Sequence, residues 1–375
     1  MLGIYVHLPF CPYICPYCDF AKWPHRRSAA RRYLDALGRE VEAAPAAQAA
    51  SIFLGGGTPN TYEASEIGAL VERLRARFAA GDGAEISVEI NPELVGAGDL
   101  PIYAGAGVNR LSIGVQSFDP AEIRTLGRRH TPAQVAGVVA AARRAGIRSV
   151  SLDLIFAVPG QSPASWRASL IAACELGVDH VSAYGLTVEE GTRYARWRER
   201  EPTAFFNDDR EADLYETALE VLEAAGFEQY EISNFAKPGH RSSHNANYWE
   251  NGEYFGFGVG AASYRDGERS VHTRDLEAYL RAASADEAIP GTSERLEGAA
   301  LAGEAVMLAL RTAQGVSFAA FKDRYGLDFI SFYRPILGRL VEDGLLDIGA
   351  AGARLTKRGR FVANDVCGAF VTFAP

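Results

Sequence analysis

Short β-prone segments alternate with longer amphipathic segments along about the first 230 residues of the chain. The β-prone segments predict strands at residues 4–8, 51–54, 86–90, 110–115, 149–156 and 180–185. Helical periodicity is clearest at residues 29–43, 63–79, 133–145 and 164–176. Six strand–helix repeats of about 30 residues are typical of a parallel α/β architecture. Because no GxGxxG fingerprint follows the first strand, the pattern predicts an incomplete (β/α)6 barrel, with its chemistry at the carboxyl ends of the strands.

The pattern changes after about residue 235. Residues 237–267 are rich in glycine, asparagine, histidine and aromatic residues, which indicates an irregular but ordered segment. Predicted helices at residues 299–311, 318–325 and 330–343, followed by a small hairpin, together resemble a winged helix. We therefore predict a barrel over residues 1–235, a connecting segment over residues 236–295 and a small helical, winged-helix-like C-terminal domain over residues 296–375.

The composition is that of a globular protein, since 48% of the 375 residues are hydrophobic and 23% are charged. A formal net charge of −9 without Lys/Arg blocks argues against binding to nucleic-acid phosphates. Residues 300–375 carry nine Lys/Arg and seven Asp/Glu, too balanced for a basic recognition helix. The first residues lack the basic and apolar regions of a signal peptide, and no apolar run approaches a membrane span. These features predict a cytoplasmic protein that binds no nucleic acid.

Three of the five cysteines, Cys11, Cys15 and Cys18, fall within eight residues with the spacing CxxxCxxC. In a reducing compartment, clustered cysteines bind metal more often than they form disulfides. Three thiolates can hold three irons of a 4Fe–4S cluster and leave the fourth iron open. A zinc site normally needs a fourth ligand, for which His7 and His25 are near enough in sequence, but no second CxxC pair exists. The spacing favours the cluster over zinc.

At these residues the sequence resembles the radical S-adenosylmethionine superfamily, in which a CxxxCxxC loop follows the first strand. In that superfamily the open iron is chelated by S-adenosylmethionine, and an electron from the cluster cleaves the sulfonium to give a 5′-deoxyadenosyl radical. The resemblance extends along Tyr5-Val-His7-Leu-Pro9-Phe10-Cys11 and Cys18-Asp19-Phe20. These stretches are similar to the branch that contains oxygen-independent coproporphyrinogen III oxidase and the HemW haem chaperones.

The resemblance implies a binding site for S-adenosylmethionine at the strand ends. Gly55-Gly56-Gly57-Thr58-Pro59 closes the second strand, and in the family this segment meets the methionine amino group. Three polar residues on successive strands match family residues that contact the cofactor: Glu89, Gln116 and Asp153. A single one is sometimes a satisfied core residue, but three at successive strand ends favour a site. An arginine for the methionine carboxylate, a tyrosine near the sulfonium and an aromatic residue beside the cluster complete the expected set: Arg128, Tyr5 and Tyr17. Within the glycine segment the expected contacts are Gly56, Gly57 and Thr58, while Tyr184 could equally be a core residue.

Residues 243–249 (SHNANYW) resemble the HNxxYW signature of HemW proteins and related porphyrin-handling radical enzymes. His244 can ligate iron, and Tyr248 and Trp249 can stack on a flat macrocycle. An equally weighted alternative is a histidine–asparagine network that ties the barrel to the C-terminal module. Haem binding by these three residues is therefore a hypothesis.

This sequence departs from the pattern of the oxidase in two features, and both favour the haem chaperone over the oxidase. The oxidase has a further cysteine two residues after the third ligand, where this chain has Phe20, and a long extension before the tyrosine, where this chain has four residues. We therefore expect a haem chaperone that binds haem, a 4Fe–4S cluster and S-adenosylmethionine and delivers haem to a respiratory haem protein. The alternatives are coproporphyrinogen III oxidase, which decarboxylates two porphyrinogen propionates, and a radical methyltransferase or cyclopropanase.

The resemblance also implies partners. These are haem or a porphyrin, an electron donor such as flavodoxin or ferredoxin, and a respiratory protein that accepts haem. Peripheral membrane contact and a homodimer are compatible with the same resemblance. No residue is assigned a catalytic role.

Overall fold

The structure is a computed structural model that describes residues 1–373. Its strands are β1 (Leu2–Leu8), β2 (Phe10–Cys11), β3 (Trp23–Pro24), β4 (Ser51–Gly56), β5 (Glu85–Ile90), β6 (Arg110–Gln116), β7 (Ser149–Phe156), β8 (His180–Gly185), β9 (Glu228–Gln229), β10 (Asn234–Ala236), β11 (Glu253–Phe257), β12 (Ala262–Arg265), β13 (Glu268–His272), β14 (Gly291–Arg295), β15 (Val316–Ser317), β16 (Leu346–Ile348) and β17 (Gly352–Leu355).

The α-helices are α1 (Arg27–Ala43), α2 (Ala64–Arg77), α3 (Asp99–Ala106), α4 (Pro120–Thr125), α5 (Pro132–Arg144), α6 (Pro163–Glu175), α7 (Arg193–Arg200), α8 (Asp208–Ala224), α9 (Ser243–Trp249), α10 (Leu276–Ser284), α11 (Gly298–Leu310), α12 (Phe318–Tyr325), α13 (Phe329–Phe332), α14 (Arg334–Glu342), α15 (Lys357–Phe361) and α16 (Ala363–Val371). No helix among residues 1–373 is both long enough and apolar enough to cross a membrane.

The main sheet has twelve strands in the order β14-β13-β12-β11-β1-β4-β5-β6-β7-β8-β10-β9. Its centre consists of β1, β4, β5, β6, β7 and β8, which pair in parallel in chain order. This confirms the predicted α/β architecture with six barrel strands. The barrel is open, because β1 pairs on its other side with β11 and β8 pairs with the antiparallel β10.

The barrel strands direct apolar side chains outward and polar side chains inward. On β6, Leu111, Ile113 and Val115 are fully buried on the outer side, where the helices pack. The inner positions of five successive strands carry serines, namely Ser51, Ser87, Ser112, Ser151 and Ser182. Branched apolar side chains usually fill the interior of such a barrel. Serines leave a polar space in which a ligand can be accommodated.

The amino-terminal end of the barrel is closed by α9. Glu85, the first residue of β5, accepts hydrogen bonds from the backbone N–H groups of Ser243 and His244, at 3.1 and 3.0 Å. Its carboxylate also accepts a hydrogen bond from Ser242 Oγ at 3.2 Å and lies 3.7 Å from the Arg110 guanidinium. The segment that contains HNANYW is thereby fixed to the floor of the barrel.

The C-terminal residues form a separate apolar cluster around α11, α12, α14 and α16. The sheet β15-β17-β16 packs with these helices. The predicted helices at residues 299–311 and 318–325 correspond to α11 and α12, whereas the predicted helix at residues 330–343 is interrupted between α13 and α14, where Pro335 starts a new helix. The preceding segment is more than a connection, because β11 to β14 extend the main sheet. The domain boundaries at residues 235 and 295 themselves stay predictions.

Replacing Glu85 with alanine is expected to lower the free energy of unfolding by about 3 kcal/mol, because removing one partner leaves a buried charge without compensation. The charge left without compensation is the guanidinium of Arg110, whose side chain is 4% exposed. Urea denaturation followed by circular dichroism measures the change. The control is Glu277→Ala, which removes an exposed ion pair with Arg32 and should cost less than about 1 kcal/mol. Equal losses in the two variants would contradict the role given to Glu85.

Candidate functional site

The three clustered cysteines lie on one loop at the carboxyl end of β1. The loop leaves as β2 and returns as β3, which pairs with it in parallel. The backbone N–H of His25 donates to Cys11 O at 2.8 Å, and that of Thr58 donates to Phe10 O at 3.0 Å. The first bond joins the two ends of the loop to each other, and the second ties its beginning to the glycine segment after β4.

The environment of the cysteines disfavours three free thiolates. Cys11 is 8% exposed, and burial raises the pKa of its thiol to about 11, with further contributions from the charges of Cys15 and Cys18. Burial raises the pKa of Cys18 as well. Bound iron would compensate such charges, and a thiol donor set is the one that iron–sulfur clusters use.

No group of three His, Cys, Asp or Glu side chains among residues 1–373 is arranged to hold a single metal ion. In a 4Fe–4S cluster each cysteine binds a different iron, so the thiols do not need to converge on one point. His7, considered above as a zinc ligand, has both ring nitrogens engaged: Nδ1 lies 2.9 Å from Tyr5 Oη and Nε2 lies 2.7 Å from Ala21 O. The contacts of His7 thus favour the cluster over a zinc site.

The glycine segment packs directly against the end of β1. The N–H of Gly57 donates to Leu8 O at 2.9 Å. A Cβ atom on Gly57 would lie 2.7 Å from the same oxygen, and one on Gly56, whose φ is +106°, would collide with the ring of His7. The glycines therefore have a structural reason to be present, and the same lack of side chains leaves their backbone accessible to a ligand.

Glu89 and Asp153 place two carboxylates inside the barrel. Glu89 accepts a hydrogen bond from the N–H of Gly56 at 3.1 Å, and Asp153 accepts one from Ser112 Oγ at 2.9 Å. Burial, followed by the charge of Asp153, raises the pKa of Glu89 to about 7. Burial also raises the pKa of Asp153. Two desolvated carboxylates at one end of a polar barrel suit a cationic ligand such as an ammonium or sulfonium group.

Arg128 and Gln116 lie at the carboxyl end of β6, which pairs with the strand of Glu89 on one side and with the strand of Asp153 on the other. Arg128 Nη2 donates to Asn91 Oδ1 at 2.7 Å and to the carbonyl of Gly114, while its buried Nε has no partner among residues 1–373. Gln116 adopts a left-handed conformation with φ +67°, at the irregularity that ends the pairing of β6 with β7. Such a bulge redirects a side chain near a site. The Nε–H group of Arg128 is therefore free to donate a hydrogen bond to a carboxylate of a ligand.

Of the two aromatic residues expected near the cofactor, Tyr5 lies on β1 and Tyr17 lies within the cysteine loop. The ring of Tyr5 stacks on Phe53 with 6.3 Å between the ring centres. Tyr17 packs against the apolar cluster of Leu126, Ile155 and Val158, and its ring centre lies 6.1 Å from that of Tyr194. Tyr184 is 40% exposed, which places it in the solvent-accessible mouth rather than in the core.

A cavity of about 480 Å³ adjoins the inner face of β1 and reaches α11. Aromatic side chains and two arginines line it: Tyr5, Phe20, Tyr248, Tyr254, Tyr264, Arg269 and Arg274. Most of these residues were not expected at the site. Residues 237–267 were recognised as rich in aromatics, but only the pairing of β11 with β1 brings them beside Tyr5.

His244 lies behind the wall of this cavity. Its Nδ1 is 2.9 Å from Ser51 Oγ, and its Nε2 is 2.8 Å from Tyr248 Oη. Burial lowers the pKa of His244 to about 3, so the imidazole is neutral. Trp249 is turned toward the C-terminal module, where Arg311 lies over its ring at 5.4 Å. These contacts are those of a structural network, the alternative to haem binding that the sequence left open. The Nε2 atom of His244 is exposed to the cavity only when its hydrogen bond to the Tyr248 hydroxyl is broken.

The parallel barrel and the cysteine loop after its first strand define a radical S-adenosylmethionine protein. The model of the Radical SAM superfamily matches residues 5–171, and that of the HemN C-terminal domain matches residues 296–362. The solved structure of Escherichia coli coproporphyrinogen III oxidase has the same fold, with a TM-score of 0.86 over 100% of this chain and 90% of that chain, at 24% identity. Membership of the superfamily implies a 4Fe–4S cluster and S-adenosylmethionine as cofactors.

Curated relatives make the assignment more specific. The heme chaperone HemW of Bacillus subtilis is 35% identical over 99% of both chains. HemW of Mycobacterium tuberculosis is 36% identical over 97% of this chain and 93% of its own, and HemW of Escherichia coli is 37% identical over 75% and 76%. The chain belongs to the HemW family.

Changing Glu89 to glutamine is expected to make the cofactor-free protein more stable at pH 8 than the wild type. The pKa of Glu89 is about 7 in the folded chain and 4.5 in its ordinary state, so the unfolded chain loses this proton first as the pH rises. The wild type should therefore lose about 3 kcal/mol relative to the variant between pH 4.5 and pH 8. Urea denaturation of both proteins at pH 5 and pH 8 measures the difference. The exposed Glu63→Gln variant is the control, and parallel pH profiles for Glu89→Gln and wild type would refute the assignment.

Proposed function

We propose that this protein is a haem chaperone whose cysteine loop carries a 4Fe–4S cluster. Cys11, Cys15 and Cys18 hold three irons, and the fourth iron is left for S-adenosylmethionine. When bound, the cluster supplies one-electron chemistry. This proposal is supported by three partly or fully buried thiols on one fixed loop.

The side chains around the loop bind S-adenosylmethionine. Glu89 and the backbone of the segment Gly56-Gly57-Thr58 hold its amino group, and the Nε of Arg128 donates to its carboxylate. Asp153 and Gln116 contact the remaining polar groups, while the rings of Tyr5 and Tyr17 exclude water from the sulfonium and the cluster. The unpaired Nε of Arg128 and the desolvated carboxylate of Glu89 support this arrangement.

Haem, the cargo, occupies the cavity between β1 and α11, and this cavity is the observation that carries the proposed function. Its volume of about 480 Å³ lies within the range of small-molecule sites. Its tyrosines offer faces for a flat macrocycle. Arg274, which pairs with the exposed Asp19 at 3.5 Å, offers a cation for a propionate. Arg269 is less available, because Glu304 holds it at 2.7 Å.

His244 serves as the iron ligand when the Tyr248 hydroxyl moves aside. The neutral imidazole is the form that ligates iron. Its Nε2 atom lies 2.8 Å from the hydroxyl of Tyr248, which lines the cavity. Trp249 faces the C-terminal module, where Arg311 lies 5.4 Å from the centre of its ring, instead of touching haem. The curated relatives are named heme chaperones. By the same function, this protein acts in the cytoplasm and delivers its haem to a respiratory haem protein. An electron donor, a homodimer and peripheral membrane contact belong to the proposal as its partners.

Haem titration of the reconstituted protein tests this function. We expect one haem per chain, an affinity at least ten-fold lower in His244→Ala and in Arg274→Ala, and wild-type or higher affinity in Tyr248→Phe, which frees Nε2. Arg281→Ala changes an exposed arginine on α10 outside the cavity wall and is the control for Arg274. An absence of stoichiometric binding refutes the proposal. Anaerobic conversion of coproporphyrinogen III by the same preparation would instead establish the oxidase.

Changing Cys15 to serine should remove the cluster, because three thiolates are the minimum for this site. The expected result is loss of bound iron and sulfide and of the brown colour after reconstitution, together with loss of S-adenosylmethionine cleavage. Cys174→Ser changes a cysteine on α6, distant in sequence from the loop, and should leave iron content and spectrum unchanged. An intact spectrum in Cys15→Ser would show that the ligands are wrongly assigned.

A further inference from the structure

A second cavity lies outside the carboxyl end of β7 and has no part in the function proposed above. Its volume is about 480 Å³. Its wall consists of the turn after β7 and the segment from α7 to the start of α8: Pro159, Gly160, Gln161, Trp197, Thr203, Ala204, Phe206 and Arg210. None of these residues lines the cavity between β1 and α11, and none belongs to the set proposed for S-adenosylmethionine. The second cavity is therefore a separate candidate site.

A buried carboxylate fixes the orientation of Gln161 in the wall of this cavity. Glu122 is 3% exposed and accepts a hydrogen bond from Gln161 Nε2 at 3.0 Å. The same carboxylate is held by the hydroxyls of Ser117 and Ser165, at 2.6 and 2.5 Å. The other contact of Gln161 Nε2 is the carbonyl oxygen of Ile155, at 3.4 Å. Since both partners of this nitrogen are acceptors, the amide group cannot be turned over without losing them.

This orientation leaves the amide oxygen of Gln161 without a partner. Gln161 is 4% exposed, and its Oε1 atom is buried and accepts no hydrogen bond from residues 1–373. A buried acceptor without a donor is unfavourable, and a ligand that donates an N–H to it relieves the cost. A Cβ atom added to the neighbouring Gly160 would meet no atom within 4 Å, so the space beside this turn is open. The cavity thus offers one fixed acceptor to a ligand.

The rest of the wall offers flat surfaces. Trp197 and Phe206 are half-buried, and the guanidinium of Arg210 lies 4.4 Å from the centre of the Phe206 ring. The indole Nε1 of Trp197 donates to Glu201 Oε2 at 3.3 Å, so the ring face is what Trp197 offers to a ligand. Aromatic rings and arginine side chains of this kind stack on nucleobases.

The charges around the second cavity disfavour an anionic ligand. Residues 197–211, which supply most of its wall, contain three Arg and five Asp/Glu. A phosphate would therefore meet an excess of negative charge. A neutral ligand with a flat ring and an N–H donor fits the wall better.

We propose that the second cavity binds a neutral purine nucleoside with an exocyclic amino group. The purine ring stacks on Trp197, and the amino group donates a hydrogen bond to Gln161 Oε1. The volume of the cavity lies within the range of small-molecule sites. This inference goes beyond the proposed function, because neither the cluster nor haem takes part in the binding.

Calorimetric titration of the full, cluster-free chain with adenosine tests the site. We expect one adenosine per chain. Trp197→Ala should lower the affinity about ten-fold, because it removes a stacking surface. Arg210→Ala should lower it about three-fold through loss of the guanidinium. The control is Arg198→Ala, which changes an exposed arginine on α7 outside the cavity wall and should bind adenosine as the wild type does.

The hydrogen bond to Gln161 is tested from the side of the ligand. Purine riboside, which is adenosine without the amino group, should bind the wild type about five-fold more weakly than adenosine. Gln161→Leu should bind the two nucleosides equally, because it has no acceptor for the amino group. Circular dichroism shows whether this variant is folded, and the comparison of the two nucleosides on the wild type does not depend on it.

Three results would overturn the inference. The first is an absence of saturable adenosine binding. The second is wild-type affinity in Trp197→Ala, since adenosine would then bind elsewhere in the chain. The third is equal affinity of the wild type for adenosine and purine riboside. Tighter binding of AMP than of adenosine would overturn the choice of a neutral ligand.

Discussion

The parallel pairing of β1 with β4 is the constraint on which the site depends. His7 and Leu8 are opposite Gly55 and Gly56, so the two strands end together and their following segments leave side by side. The backbone bond from Gly57 to Leu8 holds these segments at a distance that a side chain would prevent. The cysteine loop and the segment facing Glu89 thus form one rigid unit, and the positions of the thiols and of the carboxylate are set by the sheet rather than by flexible loops.

A second consequence of this sheet is its polar interior. Strand alternation sends the aliphatic residues to the helices, which leaves serines and carboxylates facing inward. Desolvation of Glu89 and Asp153 is costly without a cation, and the pKa of each carboxyl is raised accordingly. The barrel therefore stores an unfavourable electrostatic interaction that a positively charged ligand relieves, which links the stability of the fold to occupation of its site.

The sequence predicted features that depend on local patterns. The six strands follow from β-prone runs, and the thiol loop follows from the spacing of Cys11, Cys15 and Cys18. Features that depend on contacts between distant segments were not predicted: the strands β11 to β14 join the main sheet by pairing with β1, and their tyrosines meet Tyr5 only there.

The contacts of His244 are compatible with the binding role that we propose for it. Its backbone is held by Glu85 at the floor of the barrel, Nδ1 bonds to Ser51 inside the barrel, and Nε2 bonds to Tyr248 in the cavity wall. A ligand that displaces the Tyr248 hydroxyl exchanges one partner of the imidazole and leaves the others in place. The network thus pre-positions the histidine at little cost in conformational entropy, because the side chain is already immobile before the ligand arrives. A buried, hydrogen-bonded histidine is for this reason not an argument against ligation; the fixed orientation is what an iron ligand requires.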